Sequence, residues 1–239
     1  MRVAVVLFPG ANCDRDTLWA FSEVLGEEAF PVPHDRDHLP AADLVVLPGG
    51  FSYGDYLRPG AVAARAPVMR AVRRHAAAGG LVLGICNGFQ ILCEAGLLPG
   101  ALVANEGGRF VCRSLHLRVE SDASPLTSRL RPGEVLRLPV AHAAGNYRLA
   151  PGEAERLAAE GRILFRYVDA AGRIRPEANP NGSEGSIAGV AGPGGNVMGL
   201  MPHPERAVAP WQGSVDGLRL LRSLRDHLAA SPAREVSLP

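Results

Sequence analysis

The stretch "LVLGICNGFQIL", residues 81–92, runs from apolar residues into Gly84, Ile85, Cys86, Asn87 and Gly88 and then turns apolar again. Residues 80–85 read as a strand buried on both faces, because a short Val/Leu run with no polar alternation suits the interior of a parallel sheet. Residues 87–96 read as a short helix closed by Gly96. A cysteine needed only for packing would not require glycines two residues to either side. The G-x-C-x-G spacing matches the strained strand-to-helix turn described for G-x-S-x-G, with Cys in place of Ser. Glycines at those positions let strand and helix approach closely. A thiol at the helix N-terminus meets free N–H groups and the positive end of the helix dipole, which favour thiolate. Two readings of Cys86 stand at this point, a nucleophile or a structural cysteine beside a turn.

Outward from this stretch, short Val- and Leu-rich runs alternate with helical patterns. Residues 3–8 and 43–50 read as further buried strands, and residues 17–26 as a helix closed by Gly26. Residues 61–78 read as helix, with Pro67 near its start or breaking it. Strand–helix–strand alternation implies parallel strands joined by right-handed crossovers. The expected fold is α/β, a doubly wound, mostly parallel sheet flanked by helices. After Pro99 the pattern alternates, and a smaller antiparallel extension is expected there. Residues 109–120 read as a half-exposed strand pair, and 134–142, 162–169, 186–192 and 196–203 as further strands. Residues 170–186 read as one long surface loop. Residues 216–228 close the chain as an amphipathic helix, with Leu218, Leu221, Leu224 and Leu228 at helical spacing. The residues from Ser231 onward are expected to fray. No linker or repeat divides the chain, so a single domain over residues 1–239 is expected.

The composition excludes several classes. Net charge is +1, which leaves no electrostatic footprint for nucleic acid or a membrane surface. No apolar run approaches the length of a membrane helix. "RVAVVLF" after Met1 is too short for a signal peptide core, so a cytoplasmic protein is expected. The four cysteines, Cys13, Cys86, Cys93 and Cys112, are expected to be reduced and separate. They form no C-x-x-C pair, and no His cluster has zinc-like spacing, so no metal site is expected.

A nucleophilic cysteine needs a base, and the base needs an orienting group. His34, His38, His75 and His227 lie in polar contexts, and His142, after "LPVA", could line a site. His203, in "MPHPERA", has a carboxylate two residues on. Pro202 and Pro204 favour an extended backbone, which would set Glu205 on the same side as His203. An oxyanion hole is expected in "LPGGFSYGD", residues 47–55, where Gly49, Gly50 and Phe51 follow a buried strand and open at the carboxyl ends of the sheet. Asn87, next after the nucleophile, would supply a further backbone N–H. Cys13 reads as part of an exposed loop opening a helix, with Asp14 disfavouring its thiolate.

Together, "GICNGFQIL", "LPGGFSYGD" and "PHPE" resemble the class I, triad-type glutamine amidotransferases. More closely, "FPGANCDRD", "GGFSYGDYLRPGA", "EAGLLPGAL", "RFVCR", "NPNGS" and "MPHPERA" are similar to the glutaminase subunits of phosphoribosylformylglycinamidine synthases, over nearly the whole chain. The resemblance implies that Cys86 attacks the glutamine amide, that His203 and Glu205 complete a triad, and that Gln90 helps bind glutamine. It also implies partners: a large synthetase subunit acting on formylglycinamide ribonucleotide, and a small accessory subunit. No phosphate-binding G-x-x-x-x-G-K-[ST] loop occurs here. No cofactor is therefore expected in this chain, and ATP and Mg are expected on the synthetase. Two departures from the family pattern occur: Ala143 and Ala144 stand where Gly and Glu are usual, and residues 172–178 look inserted. Two rival readings are a cysteine hydrolase of related fold and an inactive regulatory subunit.

Overall fold

The computed structural model describes residues 1–230; the tail expected to fray from Ser231 lies outside them. The first half of the chain builds parallel strands. β1 (Arg2–Leu7) is followed by α1 (Asp14–Trp19), which a π-helical turn (Ala20–Val24) prolongs, and by β2 (Glu28–Pro33). Then come β3 (Leu44–Leu47), α2 (Val68–Ala77), β4 (Leu81–Ile85) and α3 (Asn87–Glu94). Pro67 is the N-cap of α2, where its missing N–H costs nothing, and a separate 3-10 turn (Ala63–Arg65) precedes it.

The second half adds β5 (Ala101–Val103), β6 (Val111–Val119), β7 (Val135–His142), β8 (Asn146–Arg148) and α4 (Glu153–Ala159). It ends with β9 (Ile163–Val168), β10 (Ile187–Ala191), β11 (Val197–Leu200) and α5 (Asp216–Ala230). Nine strands form one sheet in the order β2-β1-β3-β4-β11-β10-β9-β6-β7, and β5 and β8 form a separate antiparallel pair. The pairings β2–β1, β1–β3, β3–β4 and β4–β11 are parallel; those from β11 through β10, β9 and β6 to β7 are antiparallel. The parallel strands with their flanking helices, and the antiparallel continuation, are the architecture expected from the sequence.

β3 and β4 are buried at every residue, as strands covered on both faces must be. The buried side chains join into one cluster running from Val3 to Leu224. On α5, Leu220, Leu221 and Leu224 are fully buried, each stabilising by roughly 1.5–3 kcal/mol. Leu218 and Leu228 pack at its margin. No described helix is long and apolar enough to cross a membrane.

Two expectations need correcting. Residues 109–120 are not a strand pair. β6 is one strand, bonded to β7 on one side and β9 on the other, because no turn residue interrupts its alternation. The 170–186 segment is not a surface loop throughout: it is exposed at 174–177, but Asn181 and Ser183 are buried. There the polar side chains replace a ladder. Asn181 Oδ1 accepts from the Ser183 hydroxyl at 2.6 Å, and Asn179 Nδ2 donates to Ser183 O at 2.8 Å.

Candidate active site

Cys86 sits in the tight turn between β4 and α3, with φ 49° and ψ −103°. This is a sparsely populated region for a residue with a side chain, and the surroundings enforce it. The Cys86 N–H donates to Leu200 O of β11 at 2.8 Å, and its carbonyl accepts from Gln90 N–H at 3.1 Å. Gly88 explains the motif's second glycine, since a Cβ there would lie 1.9 Å from Leu47 O of β3. The thiol is 4% exposed, and its Sγ lies 3.7 Å from Ala141 O of β7. The N–H groups of the first turn of α3 have no partners within the helix.

His203 arrives on the chain leaving β11. Its N–H donates to Pro139 O at 2.9 Å, which fixes the extended segment against β7. Glu205 reaches the imidazole, although not by simple strand alternation: a 3-10 turn (Pro204–Arg206) folds it back. His203 Nδ1 and Glu205 Oε1 are 2.6 Å apart, and both side chains are almost wholly buried. Burial opposes charge on His203, but the Glu205 carboxylate and the Cys86 thiol outweigh it and hold the imidazole well above its ordinary pKa. With Nδ1 committed to Glu205, Nε2 is the nitrogen left for a thiol; it has no other hydrogen-bond partner among the described residues.

The loop after β3 closes the site. Gly49 lies against the triad, since a Cβ there would meet His203 Cε1 at 2.7 Å. Gly50 takes φ +137° and bridges to Ala11. The Phe51 N–H is already given to Gly10 O at 3.1 Å, while its ring, 42% exposed, stacks on Phe110 at 6.4 Å. Of the expected oxyanion loop, the Phe51 N–H is thus committed within the loop, and Phe51 presents its ring instead. Asn87 ties the loop to the elbow. Its Oδ1 accepts from Ser52 N–H at 3.1 Å, and its Nδ2 donates to Gln90 Oε1 at 2.8 Å. Gln90 in turn donates to Ala144 O at 2.6 Å. Ala144 acts there through its carbonyl, as Ala143 does by accepting from Asn105 N–H at 2.8 Å, so neither contact needs the usual Gly-Glu side chains.

Three further residues bear on the site. Cys13 is not in an exposed loop: it is 2% exposed, and its Sγ would lie 3.0 Å from a Cβ on Gly49, the same atom that would meet His203. Burial, ahead of any nearby charge, raises its thiol pKa. The Asp55 carboxyl is pushed up to about 6 by burial, and its Oδ1 lies 3.5 Å from Asn87 Nδ2. Its signal was present in "GGFSYGD", but only tertiary structure turns it toward the elbow. His142 is buried and donates from Nδ1 to Asn105 Oδ1 at 3.1 Å; burial, helped by the His203 charge, lowers its pKa to about 4, so it is neutral. Cys93 is held well above its ordinary pKa by burial, and Cys112 is exposed on β6. The 172–178 turn shapes an open groove of about 540 Å³ with β6 and β9, and Cys86 is not among the residues that line it.

Comparison with known proteins agrees with this geometry. Residues 1–222 match the family described as the CobB/CobQ-like glutamine amidotransferase domain. The chain is 54% identical over 229 residues to the phosphoribosylformylglycinamidine synthase subunit PurQ of Bradyrhizobium diazoefficiens, covering 95% of this chain and 98% of that one. It is 55% identical over 224 residues to the PurQ of Rubrobacter xylanophilus, covering 94% and 97%. The solved structure of PurLQS from Thermotoga maritima contains a chain that superposes with a TM-score of 0.85 at 44% identity, covering 95% of this chain and 98% of that one. A glutamine amidotransferase fold with a thiol on a strained elbow, joined to full-length likeness of this order, places the chain in the PurQ family of phosphoribosylformylglycinamidine synthase subunits.

Proposed function

We propose that this chain is the glutaminase subunit of a phosphoribosylformylglycinamidine synthase. It hydrolyses glutamine to glutamate and ammonia and passes the ammonia to a synthetase subunit. That subunit uses ATP and Mg to convert formylglycinamide ribonucleotide to formylglycinamidine ribonucleotide, with a small accessory subunit completing the assembly in the cytoplasm. One observation carries the reading: Cys86 on a strained elbow beside a buried His203–Glu205 pair 2.6 Å apart, in a chain of the PurQ family.

Cys86 sulfur attacks the side-chain amide carbon of glutamine. The N–H groups of Gly50 and Asn87 receive the oxyanion, where fixed dipoles stabilise developing charge without reorganising. His203, charged beside Glu205, gives its Nε2 proton to the departing nitrogen, and ammonia leaves. Neutral His203 then takes a proton from water, which attacks the thioester and releases glutamate and the thiol. Glu205 keeps Nδ1 protonated throughout, so that Nε2 is always the working nitrogen. Asn87 and Gln90 hold the elbow, the loop and the Ala144 carbonyl in register around the substrate. Asp55, half-buried beside Asn87, binds the α-ammonium of glutamine.

Cys86→Ala tests the division of labour. With its synthetase partner, the variant should lose glutamine-dependent synthesis, by about a thousandfold or more, and keep synthesis from added ammonium. Retained glutamine-dependent synthesis would refute the assignment. Release of ammonia from free glutamine separates this reading from a peptidase-like hydrolase.

A further inference from the structure

His203 has a second thiol for a neighbour. Each of Cys13, His203 and Glu205 offers one ligand atom, and these atoms lie within 4.8 Å of one another. The three residues are 2%, 1% and 0% exposed. They come from opposite ends of the chain, which is why spacing in the sequence could not show them. The cluster is held from several sides. The Cys13 N–H donates to Gly49 O at 3.3 Å, and the Thr17 hydroxyl donates to Cys13 O at 2.7 Å. Arg206 Nε donates to Asp16 Oδ2 at 2.8 Å, clasping α1 to the turn that carries Glu205. Two atoms in this knot are unsatisfied: His203 Nε2 and Glu205 Oε2 are buried and have no hydrogen-bond partner among the described residues. A buried carboxylate oxygen without a donor is unfavourable, and a cation would satisfy it.

We propose that Cys13, His203 and Glu205 form a binding site for a thiophilic divalent cation such as Zn²⁺, and that its occupancy switches the glutaminase off. The ligand set is sulfur, imidazole and carboxylate, which suits zinc and excludes the hard, oxygen-seeking Mg²⁺ and Ca²⁺. Tetrahedral zinc holds such atoms roughly 3.5 Å apart, so the widest spacing, at most 4.8 Å, closes by about 1.3 Å or less and the His203–Glu205 pair, at 2.6 Å, opens by about 0.9 Å. Charge also favours a divalent ion. Binding releases the Cys13 thiol proton and the proton shared by His203 and Glu205, leaving one thiolate and one carboxylate against two positive charges, a neutral interior. A metal on these ligands takes the carboxylate away from its task of orienting His203. The inhibitory clause rests on the triad reading above; the binding clause does not.

The binding clause is tested with Co²⁺ on the full-length chain carrying Cys86→Ser and Cys112→Ser, which removes the nucleophile and the exposed thiol as ligands. One equivalent of Co²⁺ should produce a thiolate-to-cobalt charge-transfer band, abolished by excess Zn²⁺. Adding Cys13→Ser should remove the band and weaken Zn²⁺ binding by roughly a hundredfold or more. A missing band in the Cys13-containing chain, or a band that survives Cys13→Ser, overturns the site. The inhibitory clause is tested with the Cys86-containing chain and its synthetase. Zn²⁺ should inhibit glutamine-dependent synthesis, and Cys13→Ser should raise the inhibitory concentration by a similar factor. Equal inhibition in both chains would place the metal on Cys86 and His203 instead and refute the switch. Should Cys86→Ala keep glutamine hydrolysis, the triad reading fails while the cobalt result still decides the site.

Discussion

Two strained turns meet at this site, and they are supported in opposite ways. The elbow at residues 84–88 is enclosed: Cys86 has φ 49°, but β3, β11 and α3 pack around it, and its neighbours are buried. The loop at 49–57 carries more strain, with positive φ at Tyr53, Asp55 and Leu57, yet much of it faces solvent. Tyr56 is 72% and Leu57 79% exposed. Side-chain ties hold the loop, among them Asn87 to Ser52, His34 to Tyr53 at 2.7 Å and Arg58 to Glu94 at 2.6 Å. Strain backed by packing is permanent. Strain backed by a few polar ties on a wet surface can be released at low cost. The Cys86 elbow is thus preformed, whereas the loop at 49–57 is the part of the site that a bound molecule can adjust.

Breaking the enclosed turn should have the largest effect. Gly88→Ala puts a methyl 1.9 Å from Leu47 O, so backbone must move against backbone. The expected loss is about 3 kcal/mol or more of unfolding free energy, read by urea denaturation. A loss under about 1 kcal/mol would mean that the elbow is not tightly enclosed. Glu205→Gln comes next: turnover should fall about a hundredfold or more while the thermal midpoint stays close to wild type, because an amide replaces the carboxylate at equal volume but cannot stabilise the imidazolium. Full activity would reduce Glu205 to a bystander.

Two smaller effects probe the exposed loop. Asp55 titrates at about 6, so its carboxylate is present above that pH and lost below it. The KM for glutamine should therefore rise as pH falls through about 6, by roughly tenfold, while kcat changes less. Asp55→Asn should show the high KM at every pH and no dependence in that window; a KM profile identical to wild type would remove Asp55 from the substrate site. Leu57→Gly should have the smallest effect and the opposite sign. It relieves φ 69° at an exposed position, and a gain of about 0.5–1 kcal/mol in stability is expected. A loss of stability would show that the Leu57 side chain holds the loop.

Where the chain encodes local geometry, the sequence was readable. The β4–α3 elbow shows in glycine spacing, and β1, β3 and β4 show as uninterrupted Val/Leu runs. β2 does not, because Pro31 and Pro33 argue against a strand. The sheet tolerates them because β2 is the edge and pairs only with β1. β5 and β8, three residues each, are too short to carry a period. The same division runs through the site. Cys86, His203, Glu205 and Gln90 are visible as motifs. Cys13 and Asp55 are not, since their character comes from burial: the neighbours of Cys13 in sequence suggested solvent, yet it is buried, and the pKa of Asp55 is raised by burial in the loop after β3. Likewise Asn181 and Ser183 look like surface composition until their mutual hydrogen bonds are seen.

The placement of β11 bears on how this protein comes into being. β4 pairs with β3 on one side and, on the other, with a strand from far later in the chain, Val197–Leu200. Until then the edge of the central strand is open, and the Cys86 N–H lacks the Leu200 carbonyl that anchors it. His203 follows only three residues after β11. A nascent chain therefore carries the Cys86 thiol well before the strand that seats it and before His203. Long-range closure of this kind slows folding and leaves a sticky edge exposed meanwhile. It also means that a chain cut before β11 has neither the Leu200 carbonyl that anchors the Cys86 N–H nor His203, so the elbow would stand without its seat.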